Sequence, residues 1–189
     1  IGEPDHGAIA LGIGLALLRR QPALEVHAID RSEAMQAVGR ERTARLGVNI
    51  DNILGDAHHL PFPDNHFDVV TLQYASRHLR ILEVVREIRR VLKPGGHFYH
   101  GDMLRPDNRL VERLYYGYLR AALTFTAVVF RSGNAARNAR DYFIDTLRMF
   151  YSTEEFAQLL RQTGFQDVTG TALLGGMVGI HKAAKAPER

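Results

Sequence analysis

The sequence predicts one α/β domain, with a mostly parallel β-sheet, helices on both faces and an antiparallel last strand. Three stretches carry that prediction. Residues 66–103, HFDVVTLQYASRHLRILEVVREIRRVLKPGGHFYHGDM, pass from an apolar run to helical spacing and back to an apolar run, as a strand–helix–strand unit does. Residues 25–30, EVHAID, form a strand that ends in a carboxylate. Gly175-Gly176 separates two apolar runs as a hairpin would.

In chain order, residues 8–18 carry a helical pattern. After the 25–30 strand, Ser32 caps a helix that continues through Met35 to about Leu46-Gly47. Residues 48–54 are the next strand, followed by Gly55-Asp56-Ala57 and a polar loop to Asn65. Residues 67–72 are β-branched and apolar without alternation, which predicts a strand buried on both faces. In 81–92, Leu82, Val85, Ile88, Val91 and Leu92 recur at helical spacing while Glu83, Arg86, Glu87, Arg89 and Arg90 fall largely opposite. Lys93-Pro94-Gly95-Gly96 should stop that helix, proline by its missing N–H and glycine by accepting a left-handed turn.

Residues 114–130, LYYGYLRAALTFTAVVF, are apolar and aromatic but short and charged for a membrane span, which needs about 20 apolar residues. They fit a core helix or a lid, and the 104–151 region is expected to be a lid or substrate-binding insertion. Residues 132–140 read as a mobile polar connection. Ser152-Thr153-Glu154-Glu155 is a capping box, and Gly164 ends the helix it opens. Residues 168–174 and 177–181 are the hairpin strands, and 183–189 a frayed tail.

With 189 residues and 46% hydrophobic content, the chain can bury one good core. It has no cysteine, which removes disulfides, thiolate zinc sites and cysteine nucleophiles and suits a cytoplasmic location. Nine histidines are scattered apart from His58-His59, with no H-E-x-x-H spacing, so no metal is expected. A net charge of +3 without a binding motif gives no reason to expect nucleic acid as a partner.

Phe67, Asp68, Val70 and the run Arg90-Val91-Leu92-Lys93-Pro94-Gly95-Gly96 resemble the F-D-x-V and R-V-L-K-P-G-G segments of class I S-adenosylmethionine-dependent methyltransferases, a Rossmann-like fold. A finer resemblance follows. Leu72 to Leu79, with Arg77 on an F-G-x-R-N arginine and His78 in place of its asparagine, is similar to the ubiquinone/menaquinone biosynthesis C-methyltransferase family. So are Gly101 to Pro106, Asp141-Tyr142-Phe143, Thr146 to Met149, Gly164 to Val168 and Gly175 to His181. The likeness covers nearly the whole chain and is poor at 1–6, where Glu3 and Asp5 stand in place of glycines and the first strand is missing or displaced.

The resemblance implies S-adenosyl-L-methionine as cofactor, bound by Gly7, Asp30, Arg31, Met35, Asp56, Ala57 and Gln73. Asp30 also has an independent rationale, since a carboxylate at a strand's C-terminal end can accept both hydrogens of a ribose diol. Asp56 would accept from the adenine amino group and the Ala57 N–H would serve a ring nitrogen. Arg77 and His78 are the catalytic candidates, Arg77 to stabilise a phenolate or to orient a water that removes its proton. His78 could act as a base, because the intrinsic pKa of an imidazole lies near neutrality. Arg77 could equally form a structural salt bridge to Asp102. Tyr74, Tyr142 and Arg148 are candidates for binding the acceptor.

The expected acceptor is an apolar small molecule, a prenylated quinol, approached by reversible contact with a membrane surface. A homodimer is a further expectation. The alternatives are a methyltransferase for another apolar compound, or a non-catalytic protein that retains the fold.

Overall fold

Two short strands, β1 (His27–Asp30) and β2 (Asp51–Leu54), pair in parallel and are joined by α1 (Glu33–Leu46). The Ser32 hydroxyl accepts the Met35 N–H at 3.3 Å, and Gly47, at φ 63°, closes the helix. Its inner face is small and polar, with Gln36, Gly39 and Thr43 buried at helical spacing. A Cβ on Gly39 would lie 2.6 Å from the Asn52 side-chain oxygen, so glycine is what lets α1 lie against β2. The computed structural model describes residues 18, 20, 21, 23–129 and 133–188, with the backbone alone for 133–139. The 8–18 helix and Gly7 therefore lie outside the described residues, apart from Leu18.

The second sheet holds β3 (Phe67–Gln73), β4 (Leu92–Met103), β5 (Phe165–Leu173) and β6 (Val178–Lys185) in the order β3-β4-β6-β5. β3 is parallel to β4, while β6 is antiparallel to both β4 and β5. Three of its strands thus run one way and the last strand alone runs back, as expected, inserted between β4 and β5. Leu174 to Gly176 form the 3-10 turn of the β5–β6 hairpin.

Between β3 and β4, α2 (Ile81–Val91) buries Ile81, Val84, Val85, Ile88 and Val91. Leu82 is exposed instead, because the stripe facing the sheet is centred one residue earlier. The helix does not end on a left-handed glycine. Leu92 is already extended at φ −71°, ψ 137°, because Lys93 precedes a proline and the α conformation is closed to it. Lys93 to Gly96 form a bulge opposite Asp68, with Gly95 at φ 77° and the Lys93 ammonium 2.7 Å from the Asp68 carboxylate.

Helices α3 (Arg109–Val129) and α4 (Gly133–Met149) pack through Tyr115, Tyr116, Ile144 and Leu147. The main core lies where α2 and α5 (Thr153–Gln162) meet the sheet, around Val85, Ile88, Phe98, Phe156, Leu160 and Ala183. The Ser152–Glu155 capping box is formed in both directions.

Three sequence expectations are corrected. β3 is not buried on both faces: Val69 is 48% exposed, and among the described residues the strand pairs only with β4 and lies at the sheet edge, where fewer elements cover its faces. Residues 133–140 are the first turns of α4 rather than a connection, since alanine and arginine favour helix strongly enough to carry the glycine. Residues 183–185 are not a frayed tail. Ala183 is fully buried opposite Phe98, and the Lys185 ammonium donates to the Leu92 carbonyl and the Asn65 side chain, both at 2.7 Å.

Candidate active site

Every loop at the C-terminal ends of β1, β2 and β3 opens onto one cavity of about 440 Å³. Asp30, Arg31, Met35, Asp56, Ala57, Gln73 and His78 all line it. Ligands collect at this edge of a parallel sheet because the strand-to-helix loops diverge there and leave backbone N–H groups unpaired. Asp30 is held in place by the Ser32 N–H, which donates to its Oδ1 at 2.8 Å.

Beneath Asp30 lies a residue that the sequence does not single out. Gln36 is 3% exposed and lines the cavity; its Nε2 donates to the Ile53 carbonyl at 2.6 Å, and its Oε1 has no partner among the described residues. A buried amide oxygen without a donor is costly, so the site has an acceptor for a ligand or a water. One clue was available, since Gln36 sits four residues after the Ser32 cap, on the inward face of a helix with few apolar residues.

Asp56 is organised by His58. The His58 N–H donates to Asp56 Oδ1 at 2.9 Å and its Nδ1 lies 2.5 Å from the same oxygen, while its Nε2 accepts the Arg80 N–H at 3.1 Å. The ring therefore carries its proton on Nδ1 and ties the β2 loop to the start of α2. These hydrogen bonds hold the Asp56 carboxyl below its ordinary range, the backbone N–H contributing most. From the sequence alone His58 reads as an ordinary loop residue.

The rest of that loop hangs on Arg90, whose guanidinium donates to the carbonyls of Leu60 and Phe62 and to Glu87 and Asp64. Those carboxylates raise its pKa, and Arg90 in turn lowers that of Glu87.

At the end of β3 the chain turns sharply. Tyr74 adopts φ 53°, a conformation that costs a non-glycine residue about 1 kcal/mol or more. The strain starts the 3-10 turn Ser76–His78. Arg77 points inward, 3.6 Å from the fully buried Asp102, with Phe143 stacked 5.1 Å from its guanidinium carbon. Among the described residues its Nη1 has no hydrogen-bond partner, and neither does the hydroxyl of Tyr115. Arg77 Nε donates to His78 Nε2 at 3.2 Å, so His78 can act as a base at that nitrogen only after Arg77 moves.

Burial pushes the Tyr115 phenol up and that of Tyr116 to about 12, so both stay protonated donors near neutral pH. Nothing in the sequence singles out Tyr115, because its place on the inner face of α3 depends on how α3 and α4 pack.

The remaining candidates are not gathered here. Tyr74 is half-buried beside the cavity without lining it. Tyr142 is 62% exposed on α4. Arg148 lies over Tyr116, 4.8 Å from its ring, and borders a separate concavity with Arg105, Glu112 and Glu155. Among the described residues no cluster of His, Asp or Glu has the geometry of a metal site.

The model of the ubiE/COQ5 methyltransferase family matches residues 6–185. The ubiquinone/menaquinone biosynthesis C-methyltransferase UbiE of Pseudomonas putida strain GB-1 is 34% identical over 167 residues, which are 87% of this chain and 64% of that protein. The protein of the same name from Azotobacter vinelandii is 34% identical over 164 residues, 85% of this chain and 64% of that one. The chain thus spans 64% of the length of these curated relatives.

Among solved structures, the [4+2]-cyclase SpnF superposes with a TM-score of 0.66 at 17% identity, covering 94% of this chain and 73% of its own. An S-adenosylmethionine-dependent methyltransferase from Aquifex aeolicus gives 0.60 at 20% identity, covering 93% and 77%. At those identities the structures establish the fold alone, and a cyclase among them illustrates that one fold serves different reactions.

Proposed function

Because the chain belongs to the ubiE/COQ5 methyltransferase family, we propose that it is an S-adenosylmethionine-dependent methyltransferase that methylates a ring carbon of a prenylated quinol. The observation that carries this is the convergence of Asp30, Asp56, Gln36, Gln73 and His78 on one cavity, bordered by the Arg77 turn. The donor set suits the cofactor. Asp30 can accept from a ribose diol, Asp56 from an adenine amino group, the Ala57 N–H can serve a ring nitrogen, and Gln36 Oε1 lacks a donor. S-adenosylmethionine would supply an electrophilic methyl group on a sulfonium.

On the acceptor side the work falls to this chain's own residues. A ring carbon becomes nucleophilic when the neighbouring hydroxyl loses its proton, so donors must meet a phenolate oxygen in a water-poor place. Arg77 Nη1, 3.6 Å from Asp102 Oδ1, and the Tyr115 hydroxyl are buried donors with no hydrogen-bond acceptor among the described residues. Phe143 and Tyr116 supply apolar walls, and α3 and α4 form the cover.

Asp30→Ala is expected to weaken S-adenosylmethionine binding by about 1–3 kcal/mol, the scale of losing hydrogen bonds to a charged group. Titration calorimetry on wild type and variant reads it directly, and unchanged affinity would remove Asp30 from the site. Turnover of a short-tailed demethylated quinol then tests the reaction itself.

The outer side of α3 supports contact with a lipid surface. Leu110, Leu114, Tyr118, Phe125 and Val128 are each at least 64% exposed along it, with Arg109, Arg113 and Arg120 also exposed. An apolar stripe flanked by cations fits the boundary of an anionic membrane. No described helix is long and apolar enough to cross one. Arg105 is already paired with Glu155, and Arg140 and Arg120 with Asp141, and the side chains of Arg131 and Arg137 lie outside the described residues.

Sedimentation with phosphatidylserine vesicles should show binding that weakens as salt rises and is lost when Tyr118 and Phe125 become serine. Indifference of the folded wild type to vesicles at every salt concentration would end the membrane reading. Self-association through the same stripe would appear as a dimer in the vesicle-free control.

A further inference from the structure

Two buried histidines stand behind the Arg77 turn, and neither lines the cavity. His100 on β4 and His181 on β6 are direct cross-strand partners, 1% and 0% exposed. His181 Nε2 lies 2.8 Å from the Thr153 carbonyl, the two Nδ1 atoms are 3.0 Å apart, and His100 Nε2 lies 2.6 Å from the Ser76 hydroxyl.

A carbonyl can only accept, which, with both rings neutral, fixes every proton in the chain. His181 must donate from Nε2, leaving Nδ1 as an acceptor. His100 must then donate from Nδ1, leaving Nε2 to accept the Ser76 O–H. With both rings neutral the hydrogen bonds run one way, from Ser76 through both rings to the first turn of α5, and a proton added to either ring would turn the Ser76–His100 bond around. Burial disfavours the charged form of each ring, and each is held below its ordinary pKa.

The packing is arranged for this contact. Phe156 stacks on His100 at 3.9 Å and 13°. Gly170 leaves room above the His181 ring, since a Cβ there would come within 3.2 Å of both the ring and the Thr153 methyl. At its other end the chain meets the site: the Ser76 N–H donates to Asp102 Oδ2 at 2.9 Å, and Asp102 faces Arg77.

We infer that His100 and His181 are positioning residues, acting through Ser76 to hold the Ser76–His78 turn so that Arg77 and His78 meet the acceptor. The inference deepens the methyltransferase reading and rests on it for its activity readout. The relay ties that turn, which the strained Tyr74 would otherwise leave to its own short backbone, to the rigid junction of β6 and α5. The charged groups facing it are Glu154 beside His181 and Asp102 and Arg77 beside Ser76. His78 adjoins Arg77 on the same turn.

Ser76→Ala should lower turnover of the short-tailed quinol by at least about tenfold, the scale of misplacing a reacting group by a fraction of an ångström. Cofactor affinity should stay unchanged, and Ser76→Thr, which keeps the hydroxyl, should recover most of the rate. Side-chain ¹⁵N NMR of the wild-type chain gives a readout that needs no activity. It should find His100 protonated on Nδ1, His181 on Nε2, and each ring titrating below the ordinary histidine value.

Opposite tautomers, titration of either ring at the ordinary value of 6.5, or full turnover in Ser76→Ala would overturn the inference. A wild type that binds cofactor but transfers no methyl group would sink the methyltransferase reading instead. The relay would then be judged by the tautomers and by faster amide exchange at residues 76–79 in Ser76→Ala, and unchanged exchange would count against it.

Discussion

Asp102→Ala is expected to cost about 3–5 kcal/mol of unfolding free energy, whereas Arg77→Met should cost only about 1–3 kcal/mol. The two residues form one buried pair, yet what each leaves behind differs. Without Asp102, the Arg77 guanidinium keeps Phe143 and His78 as neighbours but no carboxylate partner among the described residues, and the N–H groups of Ser76 and Met103 lose their acceptor. Without Arg77, the Asp102 carboxylate still accepts those two backbone N–H groups, at 2.9 and 2.7 Å, which sustain a buried negative charge well. Urea unfolding monitored by circular dichroism gives both numbers. Equal losses would show that the backbone donors do little and that the charge pair alone holds the turn.

The same pair decides how the Arg77 side chain can serve the reaction. A guanidinium already facing a carboxylate at 3.6 Å offers an acceptor oxygen directed hydrogen bonds rather than a full positive charge. Arg77→Met should therefore reduce methyl transfer more than it reduces cofactor affinity, because neither Arg77 nor Asp102 lines the cavity proposed for the cofactor. If both fell together, the turn would be supporting the cofactor site instead.

What the sequence revealed about this site was what is local in it. The placement of Asp30 and Asp56 on one cavity was legible because Asp30 ends a short strand and Asp56 follows another, and strand ends lie at the ligand edge whatever the rest of the sheet does. The α1 and α5 caps and the β5–β6 hairpin were legible for the same reason, being settled within a few residues.

The Ser76–His100–His181 line was not, because its members lie 24 and 81 residues apart and meet only through the register of β4 against β6, strands that are not consecutive in the chain. Composition misleads in a similar way at the last strand, where the small residues Ala183 and Ala184 look like a tail until β4 is there to pair with them. Tyr115 and Gln36 fall between these cases. Each sits on a readable helix, but which side of the helix meets a cavity is a fact of packing.

Phe156→Ala should be among the most damaging single changes, costing about 3–5 kcal/mol near neutral pH, and its cost should shrink in acid. The ring is fully buried and touches both histidines, 3.9 Å from His100 and 4.9 Å from His181 between ring centres. Removing it opens a cavity beside two imidazoles whose low proton affinity comes first from burial. In the wild type the unfolded chain binds protons at these histidines near 6.5 while the folded chain resists them. Stability is therefore complete above that pH and is lost as the pH falls below it.

In the variant, water can reach the rings and their folded-state pKa values move back toward the unfolded value, so the acid loss is smaller. Unfolding free energies of both proteins at pH 7.5 and 5.5 give the comparison, with Phe156→Leu as a control that keeps most of the volume. A Phe156→Ala penalty that is the same at both pH values would mean that the ring contributes packing alone and that other parts of the fold keep the histidine pair dry.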